Sequence, residues 1–164
     1  MLSNKMAGAL NGQLKAEMYS SYLYLSMAAH FESINFKGFG KWLRIQAQEE
    51  YGHAMKFYDF ILDRGGKVAL EAIDEPPSTW KSPLAAFQEV LAHEKKVTGL
   101  IDDLARLAQK EGDLAAGVFL QWFITEQVEE EVNATEIVEK LKLIKDSAGG
   151  LLVLDHHLGK RGSE

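Results

Sequence analysis

The stretch at residues 46–57 reads QAQEEYGHAMKF. Apolar residues recur at helical spacing through it and its flanks, which predicts a helix with one buried face. These residues are Leu43, Ala47, Ala54, Phe57 and Ile61. The same face carries Glu50 and, three residues later, His53. A buried carboxylate and imidazole are costly unless a partner neutralises them, so the pair indicates a site inside a helical core.

The composition indicates an ordinary globular protein. The 164 residues predict one domain, 1–164, with a bundle at about 3–145 and a short C-terminal helix at about 147–159. The net charge of -6 argues against nucleic-acid or anionic-membrane partners. The first residues show no basic segment followed by an apolar run, and no run of about 18 apolar residues occurs, so we expect a cytoplasmic protein. Without cysteine, any metal site must use oxygen and nitrogen ligands.

Helical periodicity fills four long segments, and no segment alternates convincingly with period two, so the predicted class is all-α. The segments run from about 3 to 33, 40 to 64, 83 to 111 and 114 to 145, and a shorter fifth one follows from 151 to 158. The predicted inward residues are Leu10, Leu14, Met18, Ser21, Leu25 and Ala28 in the first; Phe87, Leu91, Val97, Ile101, Leu104 and Ala108 in the third; and Phe119, Trp122, Phe123, Ala134, Ile137, Leu141 and Ile144 in the fourth.

The connections predict the topology. Short links make the first and second helices antiparallel, and likewise the third and fourth. The link from Lys67 to Lys81, which contains Pro76 and Pro77, is too long for a tight turn. About 15 extended residues reach roughly 50 Å, whereas a helix of about 25 residues is roughly 38 Å long. We therefore expect a four-helix bundle in which a long crossover joins two hairpins.

Glutamate interrupts every inward face at a similar depth. Glu17 and His53 are each 18 residues from Asn35 in the first turn. Glu94 and Glu130 are each 18 residues from Gly112 in the second. Equal distances from a turn mean equal heights in an antiparallel hairpin, because the rise per residue is constant. The side chains expected at one level are Glu17, Glu50, His53, Glu94 and Glu130, with Glu126 on the same face as Glu130.

Four buried carboxylates with no lysine or arginine in the same faces would be unstable. Two divalent cations would neutralise them and satisfy their lone pairs. Carboxylates with one imidazole suit iron or manganese, and a Glu-x-x-His helix in a bundle core is the geometry of di-iron carboxylate proteins. The spacing predicts that Glu50 bridges two ions and that His53 binds one of them.

At these residues the chain resembles the non-haem ferritins of bacteria and archaea over essentially its whole length. The resemblance rests on LNGQLKAEMYSSYLYLSM, QEEYGHAMKF, SPLAAF, His93-Glu94 and FLQWFITEQVEEE. It implies that Glu17, Glu50, His53, Glu94 and Glu130 form a di-iron ferroxidase site. It further implies that Gln127 lies near the metal that faces oxygen, and that Tyr24 and Trp122 lie beside the site.

The resemblance implies more about iron chemistry. Glu49, Glu126 and Glu129 would hold a third iron. Ferrous iron would be oxidised by dioxygen or hydrogen peroxide and stored as ferric mineral in a shell of 24 identical subunits, with the fifth helix near a fourfold axis. Bacterioferritins place methionine where this chain has Tyr51, so haem is not expected. Their second Glu-x-x-His is also absent, because Asn133 follows Glu130.

Other interpretations remain open. Tyr24 and Trp122 could serve only in packing, and Glu129 lies in a charge run typical of a solvated face. His93, His156 and His157 are expected at the surface. The apolar face of the fifth helix predicts an oligomer contact rather than a membrane anchor. As alternatives to iron storage, the fold would suit a di-iron carboxylate oxidase, a peroxide-scavenging protein or a non-catalytic bundle.

Overall fold

A computed structural model describes residues 1–145 and 147–162. They form five helices and no strand: α1 (Asn4–Ser33), α2 (Lys37–Asp63), α3 (Pro83–Glu111), α4 (Leu114–Ile144) and α5 (Ala148–Leu158). The predicted all-α class, with four long helices and a short fifth, is confirmed. The predicted domain 1–164 also includes residues 146, 163 and 164, which lie outside the described residues.

The four long helices form two hairpins. α1 packs along α2, α3 packs along α4, and α1 also contacts α3. Both predicted turn residues adopt the left-handed conformation, with φ of 65° at Asn35 and 66° at Gly112. Asparagine and glycine are the residues that enter this region most readily, so the sequence locates both turns correctly.

The crossover between α2 and α3 follows the side of α1. The side-chain amide of Asn11 donates to the carbonyl of Lys67 at 3.0 Å and accepts from the backbone N–H of Ala69 at 2.7 Å. Farther along α1, the hydroxyl of Ser26 donates to the carbonyl of Pro77 at 2.6 Å. These contacts extend over 15 residues of α1, roughly 22 Å of helix. The predicted long crossover is therefore confirmed.

α2 and α5 begin three residues before the periodic segments predicted from 40 and 151, because their glycines serve close packing rather than helix termination. The start of α5 at Ala148 agrees with the bound of about 147 predicted for the C-terminal helix. α2 starts at Lys37 and includes Gly38, where an added Cβ would lie 1.7 Å from the carbonyl oxygen of Asp155 in α5. α5 starts at Ala148 and includes Gly150, where a Cβ would lie 2.7 Å from Cγ2 of Ile144. Both glycines allow a second element to approach the helix backbone.

A layer of polar side chains divides the apolar core in two. One cluster contains Phe31, Phe39 and Phe87 near the α1–α2 turn, and the other contains Phe57 and Leu120 toward the opposite end. On every long helix the buried polar residues lie between the two clusters. They are Gln13, Glu17, Ser20, Gln46, Glu50, His53, Glu94, Gln127 and Glu130.

Some predicted inward residues face outward. Leu25 is 49% exposed and Trp122 is 41% exposed, so both predictions are wrong. At the level of Leu25, the buried face of α1 is formed by its neighbours Leu23 and Tyr24. Because adjacent apolar residues differ by about 100° around the helix, either could have faced the core. No helix in the described ranges is both long and apolar enough to cross a membrane.

Candidate metal centre

The polar layer contains two groups of side chains that could each hold a metal ion. One consists of Glu17, Glu50 and His53, and the other of Glu50, Glu94 and Glu130. Within each group, one ligand atom per residue lies within 4.8 Å of the others. None of the five side chains is more than 5% exposed. The residues expected at equal depths therefore do meet, and Glu50 belongs to both groups.

His53 joins this cluster through contacts on both ring nitrogens. Its Nδ1 lies 3.1 Å from Oε2 of Glu50, one turn earlier on α2. Its Nε2 lies 4.0 Å from Oε1 of Glu126, which is half-buried on α4. The ring is therefore surrounded by carboxylate oxygens, an arrangement that suits a nitrogen ligand of a shared cation.

The surroundings of Glu17 show most clearly that the cluster suits a cation. Its Oε1 accepts a hydrogen bond of 2.8 Å from the amide of Gln13. Its Oε2 is buried and has no hydrogen-bond partner among the described residues. An unsatisfied buried carboxylate oxygen costs free energy that a bound cation would recover. The donor set, four carboxylates and one imidazole, fits iron.

Burial raises the pKa of the clustered carboxyl groups. Removal from water is the main cause for Glu17, Glu50 and Glu94, and for Glu50 the nearby charges of Glu94 and Glu130 add to it. Burial, followed by the charge of Glu94, raises the pKa of Glu130 to about 7. The metal-free cluster therefore retains protons near neutral pH, and a binding cation replaces them.

Buried glutamines hold several of these carboxylates in place. The amide nitrogen of Gln46 donates to Oε2 of Glu130 at 2.7 Å and to Oε1 of Glu50 at 3.3 Å. Gln13 and Gln46 were not among the predicted site residues. Both precede a ligand candidate by four residues on the same helix, since Gln13 precedes Glu17 and Gln46 precedes Glu50. That spacing was a usable signal, because such pairs are neighbours on a helix surface.

Glu94 is supported by two other predicted residues. The hydroxyl of Tyr24 donates to Oε1 of Glu94, and the amide of Gln127 donates to its Oε2 at 3.2 Å. Burial, followed by the charge of Glu94, raises the pKa of the Tyr24 phenol well above its usual value. Tyr24 therefore remains a hydrogen-bond donor, and both residues lie beside the cluster.

His93, predicted at the surface, is half-buried. Its Nε2 lies 2.8 Å from the hydroxyl of Ser20, and its ring packs against Tyr19 and Tyr24 with centroids 5.8 Å from each. Burial, aided by the charge of Lys96, lowers the pKa of His93 to about 4. The ring is therefore neutral near pH 7 and packs with the rings of Tyr19 and Tyr24. In contrast, His156 and His157 are exposed, as predicted.

The residues predicted to hold a third ion lie nearer the surface. Among the described residues, neither three-residue group includes Glu49, Glu126 or Glu129. Glu49 and Glu129 are exposed, and Glu49 forms an ion pair of 2.5 Å with Arg161. Nearby, the ring of Trp122 meets that of His53 edge-on at 5.3 Å, so Trp122 lies beside the site although it faces outward.

A carboxylate and histidine cluster at the middle of a four-helix bundle defines a class, the helical-bundle metalloproteins whose ions are held mainly by carboxylates. Within that class the chain belongs to the ferritin family, because the family model described as "Ferritin-like domain" matches residues 7–144.

Individual relatives agree with this assignment. The chain is 45% identical to the bacterial non-heme ferritin of Bacteroides fragilis, over 98% of this chain and 100% of that protein. It is 37% identical to the bacterial non-heme ferritin of Staphylococcus haemolyticus, over 98% of this chain and 97% of that protein. The open pore ferritin of the hyperthermophilic archaeon Archaeoglobus fulgidus superimposes with a TM-score of 0.97 at 55% identity, covering 98% of this chain and 99% of that one.

Proposed function

We propose that this chain stores iron and oxidises ferrous ions at a centre formed by Glu17, Glu50, His53, Glu94 and Glu130. Iron storage is the function of the non-haem ferritin family to which the relatives belong. The observation that carries the site assignment is the sharing of Glu50 by two three-residue groups beside the unsatisfied Oε2 of Glu17. A bridging carboxylate between two sets of ligands is what a pair of adjacent cations requires.

The charges of the cluster support a pair of divalent ions. Four carboxylates carry four negative charges when deprotonated, so two ferrous ions make the centre nearly neutral. Binding displaces the protons that the raised pKa values retain on Glu50 and Glu130. The carboxylates then stabilise the ferric state more than the ferrous state, because their attraction grows with the charge of the ion.

Holding two ferrous ions together permits a two-electron reaction. Each ion gives up one electron, and dioxygen that receives both electrons and two protons leaves as hydrogen peroxide. With hydrogen peroxide as the oxidant, two electrons and two protons give two waters. Gln127 and Tyr24 hold Glu94 during this change by donating to its two oxygens. We propose that either dioxygen or hydrogen peroxide can serve as the oxidant.

Iron that is to be stored must also leave the centre after it is oxidised. We assign Glu49, Glu126 and Glu129 to a third position, which an ion occupies on its way from the centre to the mineral. His53 supports this route, since its Nε2 faces Glu126 at 4.0 Å. We further propose assembly into a cytoplasmic shell of 24 identical chains.

The decisive experiment is anaerobic addition of ferrous iron, followed by air. We expect two tightly bound ferrous ions per chain and rapid oxidation of both when air is admitted. Glu50→Gln should abolish rapid oxidation, whereas Glu139→Gln should not, because Glu139 is exposed on α4 and pairs with Lys142. Binding without faster oxidation than in the Glu50→Gln variant would favour a non-catalytic bundle.

A further inference from the structure

Both α5 and the chain that follows it are hydrogen-bonded to the first turns of α2. The backbone N–H of Phe39 donates to Oδ1 of Asp155 at 2.9 Å, and the ammonium of Lys41 donates to the carbonyl of Gly159 at 2.9 Å. These contacts direct residues 159–162 along α2 toward its buried glutamates. The segment brings one side chain, Arg161, close to the polar layer.

Arg161 uses its guanidinium to contact three residues on successive turns of α2. It donates to the side-chain oxygen of Gln46 at 2.9 Å and to Oε2 of Glu49 at 2.5 Å. The guanidinium carbon also lies 4.5 Å from the ring centroid of Trp42. The side chain is only 22% exposed, so its charge is partly withdrawn from water. A partly buried arginine with such partners has a fixed orientation.

Arg161 contacts Gln46, which in turn contacts two ligand candidates, Glu130 and Glu50. Arginine can only donate hydrogen bonds, so it fixes the amide oxygen of Gln46 toward itself. The amide nitrogen of Gln46 then points at Glu130 and Glu50, at 2.7 and 3.3 Å. Arg161 therefore orients one hydrogen-bond donor of the centre while neutralising a carboxylate, Glu49, just outside it.

We propose that Arg161 is the internal counter-ion of Glu49 and must be displaced before a metal ion can bind at Glu49. This inference rests on the proposed function, because it assumes that iron reaches the third position. A cation and a guanidinium compete for the same carboxylate oxygen, so the arginine weakens binding there. Displacement frees residues 159–162 from one of their contacts with α2. Occupancy of the third position thereby loosens residues 159–162.

The strength of this competition follows from the exposure of the ion pair. Glu49 is 43% exposed and Arg161 is 22% exposed. Pairs of this kind change an equilibrium by up to about fivefold. Removing the charge of Arg161 should therefore strengthen third-ion binding by about that factor. The two central ions should change little, because Gln46 can still donate to Glu130 without the arginine.

Calorimetric titration of metal-free, assembled protein with Zn²⁺, which does not change oxidation state, tests this competition. The variants are Arg161→Gln and Arg161→Lys, with Arg106→Gln as a matched control. Arg106 pairs with Asp102 and Asp103 on α3, so its variant makes the same charge change at a different ion pair. We expect the first two ions to bind all variants within twofold of wild type. The third should bind about fivefold tighter to Arg161→Gln and within twofold of wild type to Arg161→Lys and Arg106→Gln.

Amide hydrogen exchange provides a second measurement that an arginine with a merely structural role would not change. In wild-type protein, exchange within residues 159–162 should accelerate when the third Zn²⁺ binds, and in Glu49→Gln it should not respond to Zn²⁺. The inference is overturned if the third ion binds Arg161→Gln no tighter than Arg106→Gln, or if exchange in the segment is unaffected by that ion. Absence of the first two ions from wild-type protein would instead contradict the proposed function, and this inference with it.

Discussion

Nδ1 of His53 lies 3.1 Å from Oε2 of Glu50 on the preceding turn of α2. The two residues form one of the two candidate ligand groups with Glu17, and Glu50 alone also belongs to the group with Glu94 and Glu130. Loss of Glu50 should therefore affect both metal positions, whereas loss of a residue from one group should affect one position.

Substitution of single ligands should change the number of bound ions in a defined way. Glu50→Gln keeps the shape of the side chain but removes the bridging charge, so we expect neither ion to bind tightly. Glu17→Gln should leave one tight ion, at the Glu50, Glu94 and Glu130 group. Anaerobic equilibrium dialysis against ferrous iron measures the stoichiometry. Equal losses in the two variants would show that Glu50 is not the shared ligand.

The metal-free protein should be more stable in mild acid than at pH 8. The pKa of Glu130 rises from 4.5 to about 7 on folding, so the folded protein binds more protons than the unfolded chain between these values. The raised pKa values of Glu17, Glu50 and Glu94 act in the same direction. The pKa of His93, lowered from 6.5 to about 4, acts in the opposite direction between these values, and the four carboxyl groups together outweigh it. Stability should therefore fall as pH rises from about 4.5 through 7. Thermal unfolding in chelator measures this, and Glu130→Gln should flatten the slope. A metal-free protein that gains stability over this range would contradict the assigned protonation.

Gly38 should be the glycine of α2 that the packing of α5 requires. A methyl group there would lie 1.7 Å from the carbonyl oxygen of Asp155, so Gly38→Ala must displace α5. We expect a loss of about 1–3 kcal/mol, typical of overpacking. Gly99→Ala on α3 is the control, because its methyl would have no neighbour within 4 Å. The control should gain about 0.5–1 kcal/mol from helix propensity. Urea unfolding measures the stability of both variants. Equal changes in stability would refute the packing role of Gly38.

Asp113 should stabilise the end of the bundle in two separable ways. It accepts from the N–H of Ala116 at 3.0 Å at the start of α4 and pairs with both terminal nitrogens of Arg64, at 3.0 and 3.1 Å. Asp113→Ala removes both interactions, whereas Asp113→Asn retains a side-chain oxygen for the cap. We expect Asp113→Ala to lose about 1 kcal/mol more than Asp113→Asn, the usual contribution of an N-cap. Chemical denaturation measures the free energy of unfolding of both variants. Equal losses would show that the N-cap does not contribute to stability.

Much of the fold and the central cluster could be predicted because the rise per residue along a helix is constant, so the number of residues from a turn gives the height in the bundle. The turns at Asn35 and Gly112 have clear signatures, and counting from them places Glu17, His53, Glu94 and Glu130 at one level. What the sequence could not supply are contacts between distant segments. Arg161 is 112 residues from Glu49 and 115 from Gln46, and no local pattern connects them.

Glycines and side-chain direction account for the other differences. Gly38 and Gly150 are indistinguishable in sequence from helix breaks, yet each accommodates another part of the chain against a helix. The partial burial of His93 depends on Ser20 and Tyr19 of α1, whose positions relative to α3 follow only from packing. Helical spacing predicts one broad face, and packing decides which residues at its edges are buried.

The most direct test of the metal centre is a crystal structure of the protein soaked anaerobically with ferrous iron, with diffraction recorded at the iron absorption edge. We expect two anomalous peaks per chain, one among Glu17, Glu50 and His53 and the other among Glu50, Glu94 and Glu130, with Oε2 of Glu17 directed at an ion. Glutamates that keep their metal-free positions, with no anomalous density between them, would contradict the assignment of these residues as metal ligands.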